Sequence, residues 1–211
     1  MRLLLTNILF LLTINLYGQS DLGIGLVSIK FDDKTVLNFY ESQIDTTPTK
    51  TIEFFDDKSI KSWNIRNLDE QEKWLKPEVL WLDYSSFVFI CRTQANNWFE
   101  VIVNNETGKS FWLKKSDTTK FSSWETYLVG TFNVSRLANH SQKIRKQPNN
   151  NSEEIKYFGQ DCFQVKSMNG DWIEIFTADY CEESNTETRI KSGWIKWRQG
   201  NDLLIVYSLS D

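Results

Sequence analysis

The chain has 211 residues, with 24 Lys and Arg against 28 Asp and Glu, for a formal net charge of −4. Hydrophobic residues make up 40% and charged residues 25%, while 9 Gly, 3 Pro and one His are few, which excludes collagen-like, low-complexity and strongly disordered classes. The slight acidic excess argues against a nucleic-acid partner, because phosphate neutralisation needs surplus Lys and Arg. Aromatics are the outlier, at 9 Trp, 14 Phe and 7 Tyr, and beside so little Gly and Pro they suit strands with aromatic cores.

Residues 1–20 place one cation, Arg2, before the apolar stretch Leu3–Leu16, and Gly18 and Ser20 then form a small-x-small pattern. This order of features is that of a secretory signal peptide, with cleavage after Gly18 or after Ser20. No later window approaches the length of a spanning helix, so no transmembrane segment is expected after signal cleavage. The expected location is exported, periplasmic or secreted. Three cysteines follow, Cys91, Cys162 and Cys181, and an odd number leaves at least one thiol unpaired. Cys162 and Cys181 are the pair in a position to bridge, but their spacing alone does not separate a disulfide from two buried thiols.

Further along, the chain repeats itself at a shift of 74 residues. Phe89–Val101 lies over Phe163–Ile175, with Phe89/Phe163, Trp98/Trp172 and Glu100/Glu174 identical and Arg92/Lys166 alike. Both copies read as strand, polar turn, Trp-led strand. Before each comes an opening strand, Thr35–Tyr40 then Thr51–Phe55 in the first copy, Gln142–Pro148 then Ile155–Phe158 in the second. After each comes another aromatic strand, Ser110–Lys114 and Gly193–Arg198, and Leu203–Tyr207 closes the chain. Alternation puts Ile195 and Trp197 on one face and Trp194 and Lys196 on the other, so at least one of these indoles is core. Two short helices are expected, one capped by Asn67 and running to Leu75 before Pro77, the other opened by the capping-box pattern Ser122–Glu125 and ended by Gly130.

The second copy resembles a bacterial SH3-like (SH3b) domain. The residues that carry this are Ile144–Pro148, Asp161–Val165, Asn169–Ile175 and Gly193–Ile195. The first copy keeps less of the pattern, in Leu37–Tyr40, Asn97–Val101 and Phe111–Leu113, and lacks the Gly before Trp112. The resemblance implies an all-β chain of two small, partly open barrels in tandem with short helical insertions, used for binding in exported bacterial proteins. The expected layout is a signal peptide over 1–20, an SH3-like domain with a helical insertion over 21–115, a helical linker over 116–139 and a second SH3-like domain over 140–211. The partner class it implies is a peptide, a protein or an envelope glycan.

Catalytic motifs are missing. The one imidazole, His140, lies in a polar stretch, and no G-x-S-x-G, P-loop or HExxH pattern occurs. No cofactor or metal motif is present either: Asp32-Asp33 and Asp56-Asp57 lack the spaced oxygens of a calcium loop and read as turn residues. Glu100 and Glu174 read as partners of Arg92 and Lys166 across their strands rather than as an acid pair. Trp98 and Trp172 are expected in the two cores. Trp81, Tyr84, Tyr157 and Trp197 have no strong claim on a core and are the candidate ligand-binding residues, lining a groove or packing one domain on the other. The expected role is a non-catalytic binding protein. A small hydrolase using paired carboxylates and an exported inhibitor or immunity-type protein are the alternatives.

Overall fold

The computed structural model describes residues 21–138, 142–181 and 189–208. The signal-peptide segment 1–20 and His140 lie outside these residues. The chain is all-β apart from two short helices, and its strands form two curled antiparallel sheets. The first sheet contains β1 (Gly25–Ile29), β2 (Val36–Tyr40), β3 (Lys50–Asp57), β4 (Ser62–Ile65), β5 (Val79–Trp81), β6 (Ser86–Ala95), β7 (Trp98–Asn104), β8 (Lys109–Lys114) and β9 (Thr119–Ser123). Helix α1 (Leu68–Gln71) lies between β4 and β5, and α2 (Trp124–Gly130) follows β9. The second sheet contains β10 (Val134–Arg136), β11 (Ile144–Arg145), β12 (Glu154–Ile155), β13 (Phe163–Asn169), β14 (Trp172–Thr177), β15 (Gly193–Lys196) and β18 (Ile205–Tyr207), with β16 (Arg198–Gln199) and β17 (Asp202–Leu203) as a separate ribbon.

The strand orders coincide. The first sheet runs β3-β2-β8-β7-β6-β1-β9 and the second β12-β11-β15-β14-β13-β10-β18, so each place in one is filled by the strand of the same rank in the other. Only the first carries extra strands, β4 beyond β3 and β5 beside β6. Register makes the match residue by residue. Val27 faces Phe89 and Val134 faces Phe163; Trp98 faces Lys114 and Trp172 faces Lys196; Glu100 faces Trp112 and Glu174 faces Trp194. Both hairpins close with two-residue turns, Asn96-Asn97 and Gly170-Asp171, whose first residues have φ of 46° and 60°. Asn is among the few side-chain-bearing residues that enter this left-handed region readily, so it stands where Gly stands in the sibling. The register also slips at the same place, between Cys91 and Thr93 and between Val165 and Ser167, so Arg92 and Lys166 are both bulge residues.

Several expectations need correction. Trp98 and Trp172 are half-buried, because strand alternation hands the core seats to their neighbours Phe99 and Ile173. Each indole instead lies under the ammonium of its cross-strand lysine, Lys114 or Lys196, at 5.5 Å. The first helix stops at Gln71, and Asn67 enters it left-handed, with no side-chain cap. The second is capped one residue later than expected, Ser123 accepting from the Thr126 N–H at 3.2 Å. Residues 116–139, expected as a helical linker, hold β9 paired to β1, α2, and β10 of the second sheet.

The sheets share a core. Leu26, Val88 and Ile102 of the first, with Leu22 just before β1, pack with Trp124 and Leu128 of α2, with Phe163, Ile173 and Ile195 of the second, and with Trp197 just after β15. A second cluster, rich in Phe, joins the first sheet to Leu75 and includes Phe39, Phe54, Phe87, Phe89 and Phe111.

Candidate functional site

The elements that only the first sheet has build a groove. After β3, the chain turns through Lys61 in the left-handed region (φ 55°) into β4, passes α1 and returns along β5 and a 3-10 turn over Leu82–Tyr84. Three anchors hold this excursion to the barrel. Trp74 packs edge-on against Phe39 and Phe111 at 5.6 and 6.0 Å, with its ring N–H donating to Gln71 at 2.9 Å. Leu75 is buried beneath it, and the Lys76 N–H donates to the Val103 carbonyl at 2.7 Å. Trp63 meets Phe31 edge-on at 5.9 Å, and Phe31 stacks on core residue Phe54 at 4.3 Å.

Between these anchored pieces lies a cavity of 470 Å³, walled by Ile60, Trp63, Leu68, Leu80, Trp81 and Leu82. Its charged lining residues are Glu72 and Asp83, and no cation lines it. Trp81 is 51% exposed and Tyr84 65%, and their rings meet edge-on at 6.4 Å beside the opening. Ile60 is likewise exposed, at 59%. Ser62 and Asn64 complete a lining of mixed polarity, and large apolar side chains left in water around such a hollow are the ordinary mark of a binding surface.

The four candidate ligand-binding residues thus divide. Trp81 and Tyr84 come together at this groove. Tyr157 belongs to a different cavity, of 480 Å³ on the second barrel, where its hydroxyl donates to the Gln160 carbonyl at 2.6 Å. Trp197 lines no groove: it is buried at 1%, its ring N–H donates to the Gly170 carbonyl at 2.9 Å, and it tilts against Trp124 at 5.4 Å. The reason is the alternation of β15 carried one residue further, which points Trp197 with Ile195 into the shared core. Trp63, Leu80 and Leu82 were not singled out in the sequence. The signal for them was the excess of Trp and Leu in a stretch that the repeat does not cover.

Outside that groove, several carboxylates are committed to neighbouring donors. Glu154 and Asp161 line the Tyr157 cavity together, but Lys143 holds Glu154 at 2.6 Å and Arg136 grips both oxygens of Asp161 at 2.7 Å. Glu100 receives Arg92 at 3.1 Å and the Ser110 hydroxyl at 2.6 Å. Glu174, its sibling, receives Lys166 at 3.1 Å and the Ser192 hydroxyl at 2.7 Å. These donors, Ser192 foremost, hold the Glu174 carboxyl below its ordinary pKa. Asp32 and Asp57 spend oxygens on the turns expected of them, accepting from the Lys34 and Ser59 N–H groups. Cys162 and Cys181 are joined by a disulfide, and the free Cys91 thiol is pushed up to about 12 by burial.

Compared with known proteins, the chain matches no family model, no curated protein and no solved structure.

Proposed function

We propose that the protein is an exported, non-catalytic binding protein built of two SH3-like barrels, and that the groove around Trp81 takes a peptide segment of a protein partner. The exposed Trp81–Tyr84 pair at the mouth of a hollow lined by indole, aliphatic and acidic side chains carries this reading. Two further observations support it. The groove is made by β4, α1, β5 and the 3-10 turn, which have no counterpart in the second barrel, so the duplicated frame serves here as a mount for something added. The lining pairs aliphatic and indole surfaces with Glu72 and Asp83, which suits a segment of aliphatic residues flanked by Lys or Arg. The strand order of each unit, together with its SH3b-like motifs, supports the barrel assignment. The disulfide between Cys162 and Cys181 and the leader-like first 20 residues both support an oxidising compartment, and with it the exported, periplasmic or secreted location proposed here.

A hydrolase reading has less support at the Tyr157 cavity, because its two carboxylates, Glu154 and Asp161, are each held by a cation; Glu72 and Asp83 share the Trp81 groove with no cation in its lining. An inhibitor with an acidic face has little, because acids and cations alternate in ion pairs on both barrels, such as Glu41–Lys109, Glu53–Arg66 and Asp171–Arg198.

The test is selection from a displayed dodecapeptide library against the purified protein, run beside retention on purified peptidoglycan. Peptides rich in aliphatic residues and Lys or Arg are expected, with Trp81→Ala weakening them by about 2 kcal/mol, roughly 30-fold, as for an interface anchor. Retention on peptidoglycan that Trp81→Ala abolishes, with no peptide selected, would overturn the peptide reading. Selection of no peptide and retention by neither matrix would overturn the binding role.

A further inference from the structure

The duplicated frame contains one seat that has changed its chemistry between the two barrels. In the first, Tyr40 of β2 faces Trp112, and its ring meets Trp98 edge-on at 5.3 Å while Lys114 lies over the same indole. In the second, the residue facing Trp194 is Arg145, so the seat that Tyr40 fills in the first barrel is held by an arginine. A cavity of 390 Å³ opens there, lined by Lys143, Arg145, Asn150, Trp172, Lys196 and Gln199 among others, and no carboxylate lines it. Arg145 is half-buried and anchored through one nitrogen to the Ser152 carbonyl at 2.9 Å. The carboxylate opposite it in the ladder, Glu154, is bound by Lys143 at 2.6 Å and feels the Arg145 charge without a hydrogen bond to it. Lys196 leans on Trp172, with no carboxylate partner among the described residues.

We infer that this cavity of the second barrel binds a carboxylate side chain of an acidic peptide segment, between Arg145 and Lys196. Arg145 is pre-positioned by its bond to Ser152, so its remaining N–H groups meet a carboxylate without the ordering cost of a free side chain. Asn150 and Gln199 at the rim each offer a donor and an acceptor, which match the N–H and C=O of an extended peptide. A carboxylated sugar fits less well, because Lys196 covers a face of the Trp172 ring on which a sugar would stack. This site is separate from the Trp81 groove in residues and in charge, so either stands without the other.

The test measures fluorescence anisotropy of a labelled hexaglutamate peptide titrated with the purified protein, with hexaglutamine as the neutral control and oligogalacturonate as competitor. Saturable hexaglutamate binding that weakens with added salt is expected, with hexaglutamine unbound and oligogalacturonate a poorer competitor than unlabelled peptide. Arg145→Tyr, which installs the residue of the first barrel, and Lys196→Gln are each expected to weaken binding at least tenfold, with unchanged far-ultraviolet circular dichroism. Trp81→Ala is expected to bind hexaglutamate as the parent does. No binding at low salt, equal binding by both variants, or stronger competition by oligogalacturonate than by peptide would overturn the inference.

Discussion

Glu174 is held at three points, by the Lys166 ammonium and by the hydroxyls of Ser167 and Ser192. The repeat predicted its pairing with Lys166, and the same pairing recurs between Glu100 and Arg92, each cation on a bulge and each glutamate also bonded to a serine hydroxyl. The serines were not legible, because Ser110 and Ser192 are 82 positions apart rather than 74, the loop before the second being longer. Since the folded state holds the Glu174 carboxyl below its ordinary value, ionised Glu174 stabilises the fold. That contribution is complete above the unfolded pKa, near ~4.3, and is lost as pH falls through the depressed folded value. Glu174→Gln is therefore expected to lower the urea midpoint at pH 7 and to flatten its decline below about pH 4. An acid limb as steep as that of the parent would show that another carboxylate governs it.

Among elements, β8 and β15 show how one frame accepts two cores. Phe111 and Gly193 stand at the same register place, facing Val101 and Ile175. Phe111 fills its site with a ring; at Gly193 the space is taken by Ile144, Ile155 and Ile190, and an added Cβ would lie 2.5 Å from the Ile144 methyl. Gly193→Ala is expected to cost about 1–3 kcal/mol in urea denaturation, the usual range for forcing a methyl into a filled core. The glycine itself was legible as part of the SH3b-like pattern, but its reason was not, since the crowding comes from β11, β12 and the segment before β15. Helix limits were less legible still. Asn67 and Ser122 both satisfied the capping pattern, yet tertiary anchoring by Trp74 and the pairing of β9 decided where α1 and α2 begin.

At the scale of the whole molecule, the two barrels are built around common ground. Trp124 donates its ring N–H to the Leu22 carbonyl at 2.7 Å, packs on Trp197 at 5.4 Å and meets Tyr207 at 6.0 Å. Tyr207 in turn donates its hydroxyl to Glu78 of the first unit, whose other oxygen accepts from Asn105 at 2.7 Å. Trp124→Ala is expected to remove about 3–5 kcal/mol and to do so for both barrels at once, giving a single lowered calorimetric transition. Two separate transitions, with the Phe-rich half unmoved, would show that the units fold apart. The duplication was legible because Phe, Trp and Glu recur at a shift of 74 residues. What covers each apolar face depends on residues far away in the chain, and so the part that α2 plays in the shared core was not legible.

That shared core makes the molecule a caliper with welded jaws. With an indole, a phenol and a carboxylate locked across the join, the halves cannot swivel as beads on a string would. Whatever settles on one flank meets the other at a constant reach and angle. A tether long enough to span both would forfeit little freedom on engaging the second, whereas one of the wrong reach could not be accommodated by bending the protein.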